Sequence, residues 1–221
     1  MNKIIITLIL GFAASSGLAA AASTVVVSSP IAENSRIRST IEVLDRTSMR
    51  IHVGTAPDYL LILKDRLYSI RGKEAVDVSA MRAKIRLPSI GDEAIKMLYS
   101  LGDSGREETI AGITGKVFQI SYYNTGMQFV KEELVLSPDP RVREVSQAWR
   151  VYSDVSLAGN SDSRGRDALQ NYLDTYHLGV LRFGNQYQIE ALGVAPETER
   201  FILPMANAAI PAAPPVLQPT P

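Results

Sequence analysis

The chain has 221 residues, with 23 basic and 23 acidic side chains, two histidines and no cysteine. The lack of cysteine excludes disulfides, thiolate catalysis, cysteine metal sites and a lipid anchor on an N-terminal cysteine. A balanced charge argues against a nucleic-acid partner, which calls for a basic excess. A hydrophobic share of 46% is ordinary for a globular domain with a sizeable core.

Residues 2–22, NKIIITLILGFAASSGLAAAA, set the expected compartment. Lys3 is a short positive n-region, Ile4–Phe12 an apolar h-region, and Ala20-Ala21-Ala22 an A-x-A cleavage site before Ser23. The apolar run is too short to cross a hydrocarbon core of about 30 Å, and small residues break it at Ala13–Gly17. We expect a signal peptide (1–22) cleaved near Ala22, and a soluble protein of the periplasm or cell exterior with no transmembrane segment. Loss of Lys3 leaves a net charge of about −1.

Residues 23–35 read as a polar, β-branched lead-in. From Arg36 the pattern has period two: Ile37, Ser39, Ile41 and Val43 share one face, and Met49, Ile51 and Val53 repeat the arrangement after a turn at Asp45-Arg46-Thr47. Asp58–Ser69 is apolar on both faces, with a turn at Lys64-Asp65, and Gly72-Lys73-Glu74 turns again into Ala75–Val78. Short strands at such intervals mark an antiparallel sheet. After Pro88, the spacing of Ala94, Ile95, Leu98 and Leu101 predicts a helix ending at Gly102.

Thr109–Gly112 and Lys116–Tyr122 form a clear hairpin, with Gly112 and Gly115 supplying the permissive backbone of its connection. Gln128–Leu136 is its third strand, stopped by Ser137-Pro138-Asp139-Pro140. Beyond Pro140 the period becomes helical, with Val142, Val145, Trp149 and Tyr152 in one stripe to Leu157. A second helix is predicted from about Arg166 to His177, carrying Leu169, Tyr172, Leu173 and Tyr176 and closed by Gly179. Val180–Phe183, Gln186–Gly193 and Phe201–Pro204 return to strands, and residues 205–221 read as a flexible Ala/Pro-rich tail.

No catalytic motif emerges. His52 on a strand and His177 at a helix end have structural explanations, and no H-E-x-x-H or comparable metal spacing occurs. Glu132-Glu133 point to opposite faces of a strand, and Asp92-Glu93 suit a helix start. Gly102-Asp103-Ser104-Gly105 lacks the lysine and flanking strand of a phosphate loop and reads as a turn. No cofactor, metal or catalytic residue is assigned.

The informative feature is apolar strand surface. If alternation holds, Leu61, Leu63, Phe118, Ile120, Tyr122, Leu134 and Leu136 share one face of the sheet, with Trp149 and Tyr152 on the helix beside it. Either the helices fill this face as core, or a cavity between the layers admits an acyl chain; these nine residues are then the candidate ligand-binding set.

The order of these segments carries a resemblance. A leader is followed by a meander, the T-I-A-G hairpin at Thr109–Ile120, E-E-L-V-L at Glu132–Leu136, two helices, a glycine-led strand at Gly179–Phe183 and F-x-L-P at Phe201–Pro204. This resembles an exported bacterial family of uncharacterised function whose domain (36–204 here) is similar to the LolA-type lipoprotein carriers. The resemblance implies an α+β fold: a curved antiparallel sheet, or incomplete β-barrel, covered by two or three helices. In the carriers the concave face holds acyl chains. No functional residue transfers by it.

The expectation is a non-catalytic protein that binds a hydrophobic ligand, lipid or lipidated partner between sheet and helices. The alternatives are an envelope protein-interaction or structural module with a filled core, and a hydrolase with a dispersed acidic site.

Overall fold

The computed structural model describes residues 23–32, 35–45, 47–84, 90, 94–157 and 164–204; the expected leader and the Ala/Pro-rich tail lie outside them. The strands are β1 (Ser23–Ala32), β2 (Ser35–Asp45), β3 (Ser48–Val53), β4 (Tyr59–Leu63), β5 (Arg66–Arg71), β6 (Glu74–Asp77), β7 (Ile95–Ile110), β8 (Ile113–Asn124), β9 (Phe129–Ser137), β10 (Gly179–Phe183) and β11 (Tyr187–Leu192). Two helices, α1 (Pro140–Leu157) and α2 (Arg164–Tyr176), lie between β9 and β10 in the chain. The strands make one antiparallel sheet of eleven in the order β6-β5-β4-β3-β2-β1-β11-β10-β9-β8-β7. It does not close: β6 and β7 are its edges.

The stretch 23–35 is more than a lead-in. β1 lies mid-sheet between β2 and β11, with Val25 and Val27 fully buried. Its run of β-branched residues suits an internal strand, which is hydrogen-bonded on both sides.

The helix predicted over Ala94–Leu101 is instead the strand β7. Register slips at Ile95/Met97 and Leu98/Ser100 set Leu98 opposite Tyr122 and Leu101 opposite Ile120, so three residues of β7 match two of β8. Each bulge stretches the inward spacing from two residues to three, which imitates a helical stripe. A third slip, between Asp103 and Arg106, turns Gly102–Gly105 into a bulge within the strand rather than a turn. There the Ser104 hydroxyl donates to the Val117 carbonyl at 2.6 Å, and the Gly105 N–H donates to Asp103 Oδ1 at 2.8 Å. That backbone donor, helped by Lys116, holds the Asp103 carboxyl below the usual range.

The β7–β8 turn is Ala111-Gly112, with φ of 51° and 76°, the pattern of a two-residue type I′ turn. Gly115 is not part of it. It lies within β8, where an added Cβ would sit 2.8 Å from the Leu136 carbonyl oxygen, so close strand packing is what demands a glycine. Ala111 carries a left-handed backbone without the asparagine this turn favours. Ala111→Asn is expected to raise stability by about 0.5–1 kcal/mol in urea unfolding, with an unchanged m-value.

Both helices fall where the 3.6-residue period places them. Asp139 caps α1: its Oδ1 accepts the Arg141 N–H at 2.9 Å, and Pro140 fills the first turn, where a proline is tolerated. The Arg141 guanidinium then holds the Asp139 carboxyl below its ordinary value. α2 ends at Tyr176 and is closed by His177 rather than by Gly179: His177 takes φ 54°, and the Leu178 N–H reaches back to the Leu173 carbonyl at 2.9 Å.

Val142, Val145, Ala148 and Trp149 of α1 and Leu169 and Leu173 of α2 pack with Val25, Ile41, Ile51, Phe118, Ile120, Leu134 and Phe183 of the sheet in the main core. Each large aliphatic or aromatic group buried there contributes about 1.5–3 kcal/mol. Two glycines let backbones meet. A Cβ on Gly165 would sit 2.7 Å from the Ile95 carbonyl oxygen, and one on Gly179 would sit 2.5 Å from the Arg143 nitrogen. Beside Gly179, the Val180 N–H donates to Ser146 Oγ of α1 at 2.8 Å, where the register of β10 slips against β9.

Phe201–Pro204 is no strand. Thr198–Phe201 forms a 3-10 turn, and Phe201 packs on Leu61 and Ile70 in a second, smaller core.

Candidate functional site

The nine candidate residues do not share one surface. Leu61 and Ile62 are neighbours on β4 and so point to opposite faces. Ile62 joins the main core with the helices, whereas Leu61, with Leu63 packed near it, belongs to the second core under Phe201. Alternation from β8 and β9 was expected to carry over to Leu61 and Leu63; the parity is the reverse. Phe118, Ile120, Tyr122, Leu134, Leu136 and Trp149 are in the main core. Tyr152 lies on α1, and its side chain falls outside the described residues.

Most of the helix side is filled. Trp149 is 1% exposed and its indole meets the hydroxyl of Tyr187, whose complete burial pushes the phenol well above its ordinary pKa. Tyr122 stacks edge-on with Phe183, their centroids 6.3 Å apart. Its hydroxyl donates to Glu132 Oε2 at 3.2 Å, and burial, then the Glu132 charge, push the phenol up to about 12. Ile120 and Leu134 have no exposed surface. These side chains are core.

An opening remains at one end. A cavity of about 470 Å³ lies between the last turns of α2 and strands β7–β9. Phe118, Leu136, Tyr172, Tyr176 and Leu178 make its apolar lining, and Asp103, Glu107 and Lys116 its charged rim. Tyr172 meets Phe118 edge-on at 6.1 Å and lies 4.5 Å from Tyr176, centroid to centroid. Tyr176 is 59% exposed, a large apolar ring left to solvent at the mouth. Lys116 reaches Asp103 at 3.3 Å across the rim. The volume lies within the range of about 300–1,000 Å³ usual for small-molecule pockets.

Two of the nine residues, Phe118 and Leu136, therefore reach this cavity, and sequence reasoning missed its other walls. The signals were present. Running the Phe118-Ile120-Tyr122 alternation backwards puts Lys116 and Thr114 on the same face of β8. The stripe Leu169-Tyr172-Leu173-Tyr176 runs one helical turn past what the core absorbs.

A second hollow of about 170 Å³ lies against the C-terminal turn, lined by Arg50, Tyr59 and Arg200 among others. Glu42, 2% exposed, engages both guanidiniums: Arg50 at 2.8 Å, and Arg200. His52 stacks on Tyr59 nearby at 5.1 Å. Burial first, then the Arg50 charge, lowers the His52 pKa, although Glu42 opposes this. The unfolded chain thus binds this proton more readily, so the stabilisation is full above the unfolded value of about 6.5 and is lost as pH falls toward the folded one. The drop in unfolding free energy from pH 7.5 to 5.5 is expected to be smaller in His52→Gln than in the parent protein.

Among the described residues, no group of three His, Cys, Asp or Glu side chains is placed to hold a metal ion, and no helix is long and apolar enough to cross a membrane. No family model and no curated protein matches the chain. Among solved structures it is similar to a LolA superfamily protein from Nitrosomonas europaea, at 15% identity and a TM-score of 0.24. The match takes in 52% of this chain and 58% of that one.

Proposed function

We propose that the protein is a non-catalytic binder of a hydrophobic ligand, whose alkyl or acyl chain lies in the cavity between α2 and β7–β9. The observation that carries this is the apolar cavity of about 470 Å³, walled by Phe118, Leu136, Tyr172, Tyr176 and Leu178 and open to solvent. Its place between sheet and helix agrees with what the resemblance to the LolA-type carriers implies. The leader pattern supports a periplasmic or exterior setting, where lipids and lipidated proteins are available partners.

Thr114 is exposed and lines the cavity without belonging to either core, which makes it the position from which to block the site. Thr114→Trp is expected to lower the affinity for a dodecyl-chain probe at least about tenfold by calorimetry with an unchanged Tm, a loss of about 1.4 kcal/mol. Unchanged probe affinity in a folded Thr114→Trp protein contradicts the assignment.

One observation favours the second reading, a protein-interaction module. Met97, Tyr99 and Phe129 are 49%, 71% and 46% exposed at one end of β7–β9, with Tyr123 stacked on Phe129 at 5.2 Å. Exposed apolar patches of this kind mark interaction surfaces.

A further inference from the structure

The cavity's rim carries more information than its floor. Of its three charged groups, Lys116 is 3.3 Å from Asp103 and is matched by it. Glu107 stands opposite Lys116 in the β7–β8 ladder without an ion pair among the described residues, so two carboxylates against one ammonium leave the mouth one net negative charge. Beside that charge stand two tyrosine rings 4.5 Å apart and tilted by 42°, with Phe118 edge-on to the inner one at 76°. Tyrosine faces carry negative potential and attract cations, most strongly when a carboxylate lies near. The same arrangement disfavours an anionic head group, which would meet Glu107 and the ring faces together.

We propose that the ligand is a single-chain amphiphile with a cationic head group, its alkyl chain against Phe118 and Leu136 and its ammonium between Glu107 and the Tyr172–Tyr176 pair. This rests on the reading of the cavity as a hydrophobic-ligand site and names the ligand class. The ammonium needs no dedicated hydrogen-bond donor; a quaternary head has no N–H to satisfy, and ring faces with one carboxylate suffice. Lys116 is offset by Asp103 at 3.3 Å, so a ligand carboxylate or phosphate would have to compete with that pair. Because the rim is exposed, head-group selectivity is expected to weaken with salt.

The test compares three probes with the same dodecyl chain: a trimethylammonium, a carboxylate and an uncharged maltoside. Each is titrated below its micelle concentration into the full-length protein at low and at physiological salt. The trimethylammonium probe is expected to bind about tenfold more tightly than the carboxylate, with the maltoside between them. Glu107→Gln alters an exposed rim charge and is expected to weaken the cationic probe about threefold or more while leaving the maltoside unchanged; Tyr176→Leu, which changes an apolar wall, is expected to weaken the cationic probe more than the maltoside. Equal binding of all three probes, or a preference for the carboxylate, overturns the head-group assignment and leaves the hydrophobic site standing. Failure of all three to bind overturns the site itself.

Discussion

Trp149→Ala is expected to cost about 3–5 kcal/mol, the largest effect of any truncation proposed for this chain. Trp149 is 1% exposed and joins α1 to the sheet side of the core, where its indole also meets the otherwise enclosed Tyr187 hydroxyl. Truncation removes the ring's packing and leaves a cavity whose walls are helix and sheet, neither of which can collapse fully. Because the chain has one tryptophan, the measurement should be urea unfolding followed by far-UV circular dichroism. Under conditions where the variant remains folded, dodecyl-probe binding is expected to persist, since Trp149 is not among the walls of the α2 cavity.

Gly179→Ala is the second. The new methyl would overlap the Val142–Arg143 backbone of α1, within 2.5 Å of the Arg143 nitrogen. Main chain cannot swing aside as a side chain can, so α1 must tilt away from β10 and stretch the 2.8 Å hydrogen bond from the Val180 N–H to Ser146 Oγ. Overpacking typically costs 1–3 kcal/mol, and a backbone-on-backbone overlap belongs at the upper end, about 3 kcal/mol. Gly102→Ala is the control: nothing lies within 4 Å of its added Cβ, and the change is expected to stay within about 0.5 kcal/mol. Equal losses at the two glycines would mean that α1 does not rest on β10 as described.

These effects show which parts of the fold the chain declared. Both helices were legible because their stripes are long, and α1 is also capped by Asp139 and led by Pro140. The β8–β9 pair and the turn end of the β7–β8 hairpin were legible because Phe118-Ile120-Tyr122 alternates without a slip between β8 and β9. The strand β7 was not, since two bulges spread Ile95, Leu98 and Leu101 to helical spacing. A bulge leaves no local mark in composition; it shows only against the partner strand.

The site was half legible for a related reason. Tyr59–Leu63, YLLIL, is apolar on both sides because both sides are buried, Leu61 beneath Phe201 and Ile62 in the main core. Nothing in that stretch says which parity faces the helices. Phe201 was read as part of a closing strand, so the small core it creates was not anticipated. Phe118 and Leu136 were found because they are large, apolar and in step on paired strands. Asp103 was read as part of a turn, and Glu107 and Lys116 only as residues of the hairpin stretch, although the bulged β7 and β8 bring them to one rim.

A dodecyl chain carrying a nitroxide tests the central claim most directly, through paramagnetic broadening of the protein's NMR signals. Occupation of the α2 cavity predicts the strongest broadening at Phe118, Leu136, Tyr172, Tyr176 and Leu178, abolished by Thr114→Trp. Broadening centred instead on Met97, Tyr99 and Phe129, or none at saturating probe, would contradict it.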